Sequence, residues 1–172
     1  LNYIGSKYSL MDFLTTTIAD VAGMNTEGRV FADLFAGTGV VGKTFKEKGF
    51  RVIANDIQHY SYILNKHLIE NVPPLSVDIV DSLNQLPGIE GFIYKNYCVG
   101  SGSGRQYFTD KNGMKCDSIR IELERLKNCG EINEAQYYYL LASLINSIDK
   151  YANTASVYGA FLKQIKKSAA KE

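Results

Sequence analysis

Apolar and polar positions in the first half of the chain follow two alternating periods. Apolar side chains recur at helical spacing over residues 10–21, and Gly23 predicts the end of this first helix. Short apolar runs then alternate with amphipathic stretches up to Pro73 and Pro74, which predict a break. The predicted order is strand, helix, strand and helix, at Arg29–Phe35, Val40–Lys48, Arg51–Asn55 and His59–Asn71. This alternation predicts a parallel βαβα arrangement.

The pattern after the two prolines is mostly helical. Phe92–Tyr97 is short and rich in aromatic residues, which predicts a third strand, and Gly100–Arg105 predicts a flexible turn. Helical spacing begins at Asp117, and Asn133 predicts the N-cap of a further helix. A last helix is predicted from the spacing of four apolar residues, Val157, Phe161, Leu162 and Ile165. The fold class predicted from the pattern is α/β, with a mainly helical second part.

A glycine-spaced turn joins the first predicted strand to its helix. Within Asp33–Gly39, the residues Gly37 and Gly39 allow a tight turn and a close approach of the backbone to a ligand. Gly42 allows the following helix to pack on the strand, and the unpaired N–H groups of that helix face the bound group. Asp56 ends the second strand, 19 positions after Gly37, where a carboxylate can accept both hydroxyls of a ribose. The pattern predicts a site for an adenosine-containing cofactor.

The glycines alone fit NAD, FAD or S-adenosylmethionine, and they also fit a turn that binds no ligand. Asp33 favours S-adenosylmethionine among these. A dinucleotide places its pyrophosphate against the turn, where a carboxylate would repel it. S-adenosylmethionine carries a sulfonium and an α-ammonium instead, and a neighbouring carboxylate stabilises both.

Composition and charge narrow the class of protein. The 172 residues are 45% hydrophobic, which suits one domain or a domain with a small appendage. No apolar run approaches the ~20 residues that span a bilayer, and no secretory segment is present, so we expect a cytoplasmic protein without membrane association. The three cysteines show no metal-ligand spacing, which predicts reduced thiols and no metal site.

The charge of the chain is unevenly divided. Residues 1–94 contain 7 basic and 10 acidic side chains, whereas residues 95–172 contain 12 basic and 8 acidic ones. The second half is therefore better suited to contact a polyanion. A solvated surface of mixed charge is the alternative interpretation.

Three motifs resemble, in the same order, those of the Dam-like DNA adenine-N6 methyltransferases. Asn2–Lys7 resembles the motif in which an aromatic residue packs near the cofactor and a lysine approaches its methionine carboxylate. Asp33–Gly39 resembles the glycine loop, and Asn55–Ile57 resembles the ribose-binding strand end, with Ile57 beside the adenine ring. The resemblance implies S-adenosylmethionine as cofactor, with eight binding residues: Tyr3, Lys7, Asp33, Phe35, Gly37, Gly39, Asp56 and Ile57.

The same resemblance implies a domain organisation and a partner. It places a partial Rossmann-like methyltransferase sheet in residues 1–90 and a mainly helical segment that recognises duplex DNA in residues 91–172. Ala152–Thr154 and Val157–Tyr158 are similar to the DNA-facing segment of some members. Basic and aromatic residues become candidates for DNA contacts: Lys95, Arg105, Tyr107, Lys111, Lys115 and Arg120. A solvated charge or a core position is the alternative for each.

The chain departs from this family at the motif that holds the target base. Such enzymes hold the exocyclic amine of a flipped adenine with an Asp/Asn/Ser-Pro-Pro-Tyr/Phe tetrapeptide. The only Pro-Pro pair here lies in Asn71–Leu75, which lacks the aromatic residue and favours a helix-ending role. We therefore assign no catalytic residue, and we expect an N-terminal fragment or one piece of a split enzyme, inactive alone. An incomplete sheet with open edges further predicts association with a complementary chain or with a second copy.

Other functions stay open from the residues alone. The cofactor motifs do not name the acceptor, so a methyltransferase acting on RNA, protein or a small molecule is an alternative. A binding module that does no chemistry is another. A NAD-dependent dehydrogenase is the least favoured, because of Asp33.

Overall fold

The computed structural model describes residues 6–23, 25–26, 28–155 and 159–171. The chain divides near Pro73 into two compact units. We call residues 3–72 the sheet unit and residues 73–172 the helical unit. The elements of the sheet unit are α1 (Met11–Ala22), β1 (Val30–Asp33), α2 (Val40–Glu47), β2 (Arg51–Ala54) and α3 (His59–Ile69). Those of the helical unit are α4 (Val77–Gln85), α5 (Phe92–Tyr97), α6 (Asp110–Asn128) and α7 (Glu134–Tyr151).

The sheet unit is a parallel βαβ arrangement followed by α3, as the periodicity predicted. Strands β1 and β2 pair in parallel, with Val30 opposite Arg51 and Asp33 opposite Ala54. One face of this pair is covered by apolar side chains of α2, where the Phe31 and Phe45 rings stack with their centroids 4.0 Å apart. Because the register brings the two strand ends level, the side chains that follow them lie at the same edge of the sheet.

Gly42 is where α2 comes closest to its neighbours. A Cβ built at this residue would lie 2.9 Å from Cδ1 of Ile69 on α3 and 3.3 Å from Cγ1 of Val52 on β2. These distances are shorter than ordinary contacts, so a side chain here would displace the side chains of Ile69 and Val52 or shift α2. The predicted packing role of Gly42 agrees with this geometry.

The helical unit is organised around α6 and α7. Leu123, on α6, is fully buried, and Leu140 and Leu141 of α7 belong to the same buried set. The Thr109 hydroxyl accepts the Asn112 N–H to begin α6, and Asn133 forms a capping box with Gln136 at the start of α7. The predicted N-cap at Asn133 is therefore confirmed.

Two elements predicted in the second half are wrong. Phe92–Tyr97 is helix α5 and not a strand, because the Asp117 carboxylate accepts the N–H groups of Ile93 (2.9 Å) and Tyr94 (2.8 Å) at its first turn. The last predicted helix does not form within residues 159–171, and Val157 lies outside the described residues. Asn153 holds that segment instead, since its amide donates to the Leu162 carbonyl and its Oδ1 accepts the Lys166 N–H, both at 3.0 Å.

Two further differences concern helix limits. Helix α6 begins seven residues before the predicted start at Asp117, and α4 was missed. In the described part of the chain, no helix is both long enough and apolar enough to cross a membrane.

Candidate functional site

The glycine turn of the sheet unit connects β1 to α2. Gly37 and Gly39 both have left-handed backbones, with φ of 53° and 81°, which glycine adopts without a steric cost. Gly39 is the N-cap of α2, and no side chain caps that end. A Cβ at Gly39 would also lie 2.9 Å from Oδ1 of Asn65. The turn therefore requires glycine for its backbone and, at Gly39, for space.

Asp56 follows β2 and contacts the glycine turn directly. Its Oδ2 accepts the Gly37 N–H at 2.8 Å, and its Oδ1 accepts the Gln58 N–H at 2.9 Å. The N–H groups of Gln58 and Gly37 and the charge of Lys7 lower the pKa of the Asp56 carboxyl. The side chain is therefore an ionised acceptor at neutral pH.

Asp33 and Lys7 form the other part of this cluster. Lys7 Nζ lies 3.7 Å from Oδ1 of Asp33 and donates to the Phe35 carbonyl at 2.5 Å. The Asp33 side chain is only 10% exposed, and its Oδ2 is buried with no hydrogen-bond partner among the described residues. A buried carboxylate oxygen without a donor is costly. It is also where the cation or N–H of a ligand is stabilised most.

Two apolar side chains accompany these polar groups. Phe35, two residues after Asp33, and Ile57, next to Asp56, are 80% and 95% exposed. The structure thus brings Lys7, Asp33, Gly37 and Asp56 together in one network at the carboxyl ends of β1 and β2. Lys7 contacts Asp33, Asp56 accepts from Gly37, and the charge of Lys7 lowers the pKa of Asp56. Tyr3, the remaining predicted cofactor residue, lies outside the described residues.

Asn65 on α3 belongs to the same network and was not predicted. It is buried, and its amide donates to the Gly37 carbonyl at 3.1 Å and to the Ser61 carbonyl at 2.8 Å. A signal for it was available, because Ser61 and Asn65 are polar residues one turn apart on the buried side of a predicted helix, beside Leu64. Polar groups on such a face need partners.

The predicted DNA-contact residues of the helical unit fall into two groups. Arg105 is exposed, and its guanidinium lies 5.3 Å from the centroid of the Tyr97 ring. Lys95 and Lys111 are also exposed. These three side chains present positive charge at the surface.

Three other candidates are engaged inside the helical unit. Lys115 Nζ donates to the carbonyls of Asn84 (2.7 Å) and Leu86 (2.6 Å). Arg120 forms an ion pair with Glu124 at 2.5 Å. Tyr107 packs edge-on against the rings of Tyr97 and Phe161, with centroids 5.9 and 5.2 Å away. All three side chains therefore contact other parts of the helical unit. A DNA contact by any of them stays a prediction.

A basic segment near Asn153 was not predicted as part of this surface. Lys163 and Lys167 are exposed, whereas Lys166 donates from Nζ to the Thr154 carbonyl at 2.8 Å. The segment is held beside Arg105 because the Gln106 amide donates to the Leu162 carbonyl at 2.6 Å. Sequence reasoning missed it because the apolar spacing there indicated a helix.

The fold and the network define an α/β protein with a glycine turn and two carboxylates, Asp33 and Asp56, at the carboxyl ends of its parallel strands. The family model of the D12 class N6 adenine-specific DNA methyltransferases matches residues 3–172, and the chain belongs to this family. The resemblance identified from the motifs is therefore confirmed. D12-class enzymes use S-adenosylmethionine as methyl donor, which also confirms the predicted cofactor.

Curated relatives include several type II methyltransferases. The chain is 54% identical to the type II methyltransferase M.NlaIII of Neisseria lactamica, over 99% of this chain and 52% of that protein. It is 39% identical to M.FokI of Planomicrobium okeanokoites, over 98% of this chain and 28% of that protein. M.CviAII of Paramecium bursaria Chlorella virus 1 is 36% identical, over 99% and 52%. The chain thus spans about half the length, or less, of these relatives. No solved structure matches it significantly.

Proposed function

We propose that this chain is the N-terminal cofactor-binding and partial DNA-recognition portion of a DNA adenine-N6 methyltransferase, which transfers a methyl group from S-adenosylmethionine to adenine in duplex DNA. The observation that carries the proposal is the network of Lys7, Asp33, Gly37 and Asp56 around the glycine turn. It occurs in a chain of the D12 family. When bound, the cofactor supplies an electrophilic methyl group on its sulfonium.

The residues of the network suit the charged end of this cofactor. Asp33 has a buried carboxylate oxygen without a donor within the described residues, and the α-ammonium and sulfonium are cations that it would stabilise. Lys7 is the cation that would face the methionine carboxylate. Its contact with Asp33 is 3.7 Å long, so the two side chains can separate at little cost when a zwitterionic ligand offers each an opposite charge.

Asp56 suits the ribose. Each carboxylate oxygen has two lone pairs, and each oxygen of Asp56 accepts one backbone N–H. One lone pair on each oxygen can therefore accept a ribose hydroxyl while the loop stays in place. The exposed side chains of Phe35 and Ile57 are the apolar surface proposed to contact the adenine ring.

The motif that would hold the target adenine does not occur in this sequence. The chain contains no tetrapeptide of the type that accepts the hydrogens of the adenine amine. Its Pro73-Pro74 pair follows α3 at the division between the two units. We therefore propose that the chain binds cofactor and DNA but needs a further polypeptide for methyl transfer.

Two assays on the purified chain test this proposal. Isothermal titration calorimetry should show saturable binding of S-adenosylhomocysteine and no binding of NAD. Incubation with labelled S-adenosylmethionine and unmethylated duplex DNA should give no labelled DNA. The absence of S-adenosylhomocysteine binding would refute the cofactor role. Methyl transfer by the chain alone would refute its dependence on a second polypeptide.

We further propose that the exposed cations of the helical unit contact DNA phosphates. Lys95, Arg105 and Lys111 carry the prediction from the sequence, and Lys163 and Lys167 extend it. Arg105 is the strongest candidate because the Tyr97 ring orders its guanidinium without neutralising its charge. The roles of Tyr107, Lys115 and Arg120 at DNA stay predictions. So does the assignment of residues 1–90 to the cofactor and 91–172 to target recognition.

Replacing Arg105 with alanine should weaken binding to duplex DNA and flatten its salt dependence. The slope of log K against log salt concentration should fall by about 1 for each lost phosphate contact. Fluorescence anisotropy at four or more salt concentrations measures it. Arg51→Ala is the matched control. Arg51 is an exposed arginine of the sheet unit, and it begins β2, whereas the candidate cofactor residues follow the other end of this strand. An equal slope for Arg105→Ala and wild type would remove Arg105 from the interface.

The sheet unit supports the prediction of a partner. In the described residues the sheet has two strands, and Val30 and Ile53 on the face away from α2 are each about half exposed. Unpaired strand edges and an uncovered apolar face are features that proteins normally cover. We propose that a partial Rossmann-like sheet is completed here by a complementary segment or chain, with self-association as the alternative.

A further inference from the structure

Asn65 is a buried polar residue of helix α3. Asn65 follows Leu64 in the sequence, and both residues are buried. Burying an amide is unfavourable unless its groups are paired. Asn65 donates to two carbonyls, and only the bond to Ser61 is local, since it lies within one turn of α3. The second bond, to Gly37, joins residues 28 positions apart.

The second bond acts on the peptide groups of the cofactor turn. Asp56 accepts the N–H of Gly37 at 2.8 Å, and Asn65 donates to the carbonyl of Gly37 at 3.1 Å. Gly37 is thus held from both sides in its left-handed conformation. A glycine held by neither partner would be free to sample other backbone conformations, because it lacks a Cβ.

We propose that Asn65 is a positioning residue of the cofactor site, which holds Gly37 by its carbonyl so that the Gly37 N–H keeps the Asp56 carboxylate in its binding orientation. This inference rests on the proposed cofactor role of Asp56. Asn65 itself acts through Gly37. Its contribution is to reduce the conformational freedom that the turn would otherwise lose on binding.

The packing of α3 beneath the turn supports this role. A Cβ at Gly39 would lie 2.9 Å from Asn65 Oδ1 and 3.1 Å from Leu68 Cδ1. The amide therefore lies directly against the second glycine of the turn as well as bonding to the first. Asn65 Oδ1 is buried without a hydrogen-bond partner among the described residues. The position of the amide thus satisfies its N–H donors and leaves its oxygen unpaired among the described residues, which costs free energy.

Two substitutions separate the two hydrogen bonds. Asn65→Leu keeps the number and branching of the side-chain heavy atoms and removes both hydrogen bonds. Asn65→Ser keeps a hydroxyl that can donate to the Ser61 carbonyl one turn earlier, as serines in helices commonly do, but it is too short to reach Gly37. The matched control is Asn112→Leu in the helical unit, because the Asn112 amide also donates to two carbonyls, at 3.1 and 2.8 Å.

Three measurements distinguish positioning from simple stabilisation. Calorimetry should show S-adenosylhomocysteine binding about five- to tenfold weaker for both Asn65 variants, the equivalent of one lost hydrogen bond. NMR titration of the Asp56 carboxyl should show its pKa rising toward the ordinary value, because the Gly37 N–H is held less firmly. Asn112→Leu should lower the unfolding temperature while it changes neither quantity.

The outcomes are separable from failure of the proposed function. If wild type does not bind S-adenosylhomocysteine, the cofactor proposal fails, and the Asp56 titration still reports whether Asn65 holds the turn. If a folded Asn65→Ser variant binds within twofold of wild type and its Asp56 titrates unchanged, the positioning role is overturned. Should Asn65→Leu not fold, Asn65→Ser decides the question, because its local hydrogen bond is retained.

Discussion

Asp33→Asn is expected to weaken binding of S-adenosylhomocysteine by about 30- to 100-fold, the cost of losing a charge-assisted hydrogen bond to a cation in a buried site. Asparagine has nearly the same shape, so the loss isolates the charge. The Asp33 side chain is 10% exposed, and its nearest cation, Lys7, lies 3.7 Å away. The binding constant is measured by isothermal titration calorimetry.

The same substitution should not lower the unfolding temperature. Oδ2 of Asp33 has no hydrogen-bond partner among the described residues, so the charge contributes more to a ligand than to the folded chain. Asp20→Asn, at an exposed position of α1, is the control and should bind as wild type does. Affinity of Asp33→Asn within twofold of wild type would exclude Asp33 from the site.

Gly113→Ala is expected to destabilise the helical unit by about 2–3 kcal/mol, a cost typical of overpacking a core. Gly113 is a buried residue of α6, and a Cβ there would overlap Sγ of Cys98, which is fully buried. In an exposed helix the same change would stabilise the helix by about 1 kcal/mol. A loss of stability would therefore indicate that the new methyl group meets Cys98. Urea unfolding followed by far-ultraviolet circular dichroism measures it.

A second substitution, at Cys98, is expected to compensate for Gly113→Ala. Cys98→Ala removes the sulfur that the new methyl group would meet. Alone it should lower stability by leaving a small cavity. Combined with Gly113→Ala, it should restore most of the lost stability, since the total volume is nearly conserved. Strictly additive losses in the double variant would show that the two residues do not share this space.

The first half of the fold was predictable because its signals are local. The strands β1 and β2 and the helices α2 and α3 occur within a few residues of their predicted positions. Their apolar runs are separated by glycines that end or turn the chain, and Gly39 and Gly49 do have positive φ. Backbone preference and the pattern of burial agree in this region, so both indicate the same elements.

The second half was less predictable because a distant residue decides it. Phe92–Tyr97 is a six-residue segment, a length at which periodicity does not separate helix from strand. Asp117, more than 20 residues later, decides for a helix by accepting the two N–H groups at its start. The predicted helix at the end of the chain was wrong for a similar reason, since Asn153 holds a segment of bends and turns there.

The candidate site shows the same division. The spacing of Asp33, the glycines and Asp56 could be recognised from the sequence alone, because the turn and the strand ends constrain which residue types occur. Asn65 carries no motif. Its role depends on a hydrogen bond to Gly37 that exists only when α3 packs beneath the turn. The engagement of Lys115 with the carbonyls of Asn84 and Leu86 was equally invisible in the sequence.

The sequence by itself determined the order of elements in the sheet unit, the glycine turn and the family with its methyl donor. These follow from neighbours within a few positions and from motif spacing. Only the tertiary structure decided which carboxylate oxygens are paired, which of the predicted cations are exposed, and that Asn65 donates to the Gly37 carbonyl. Those properties arise from contacts across 20 or more positions, and such contacts depend on how helices and strands pack rather than on local preference.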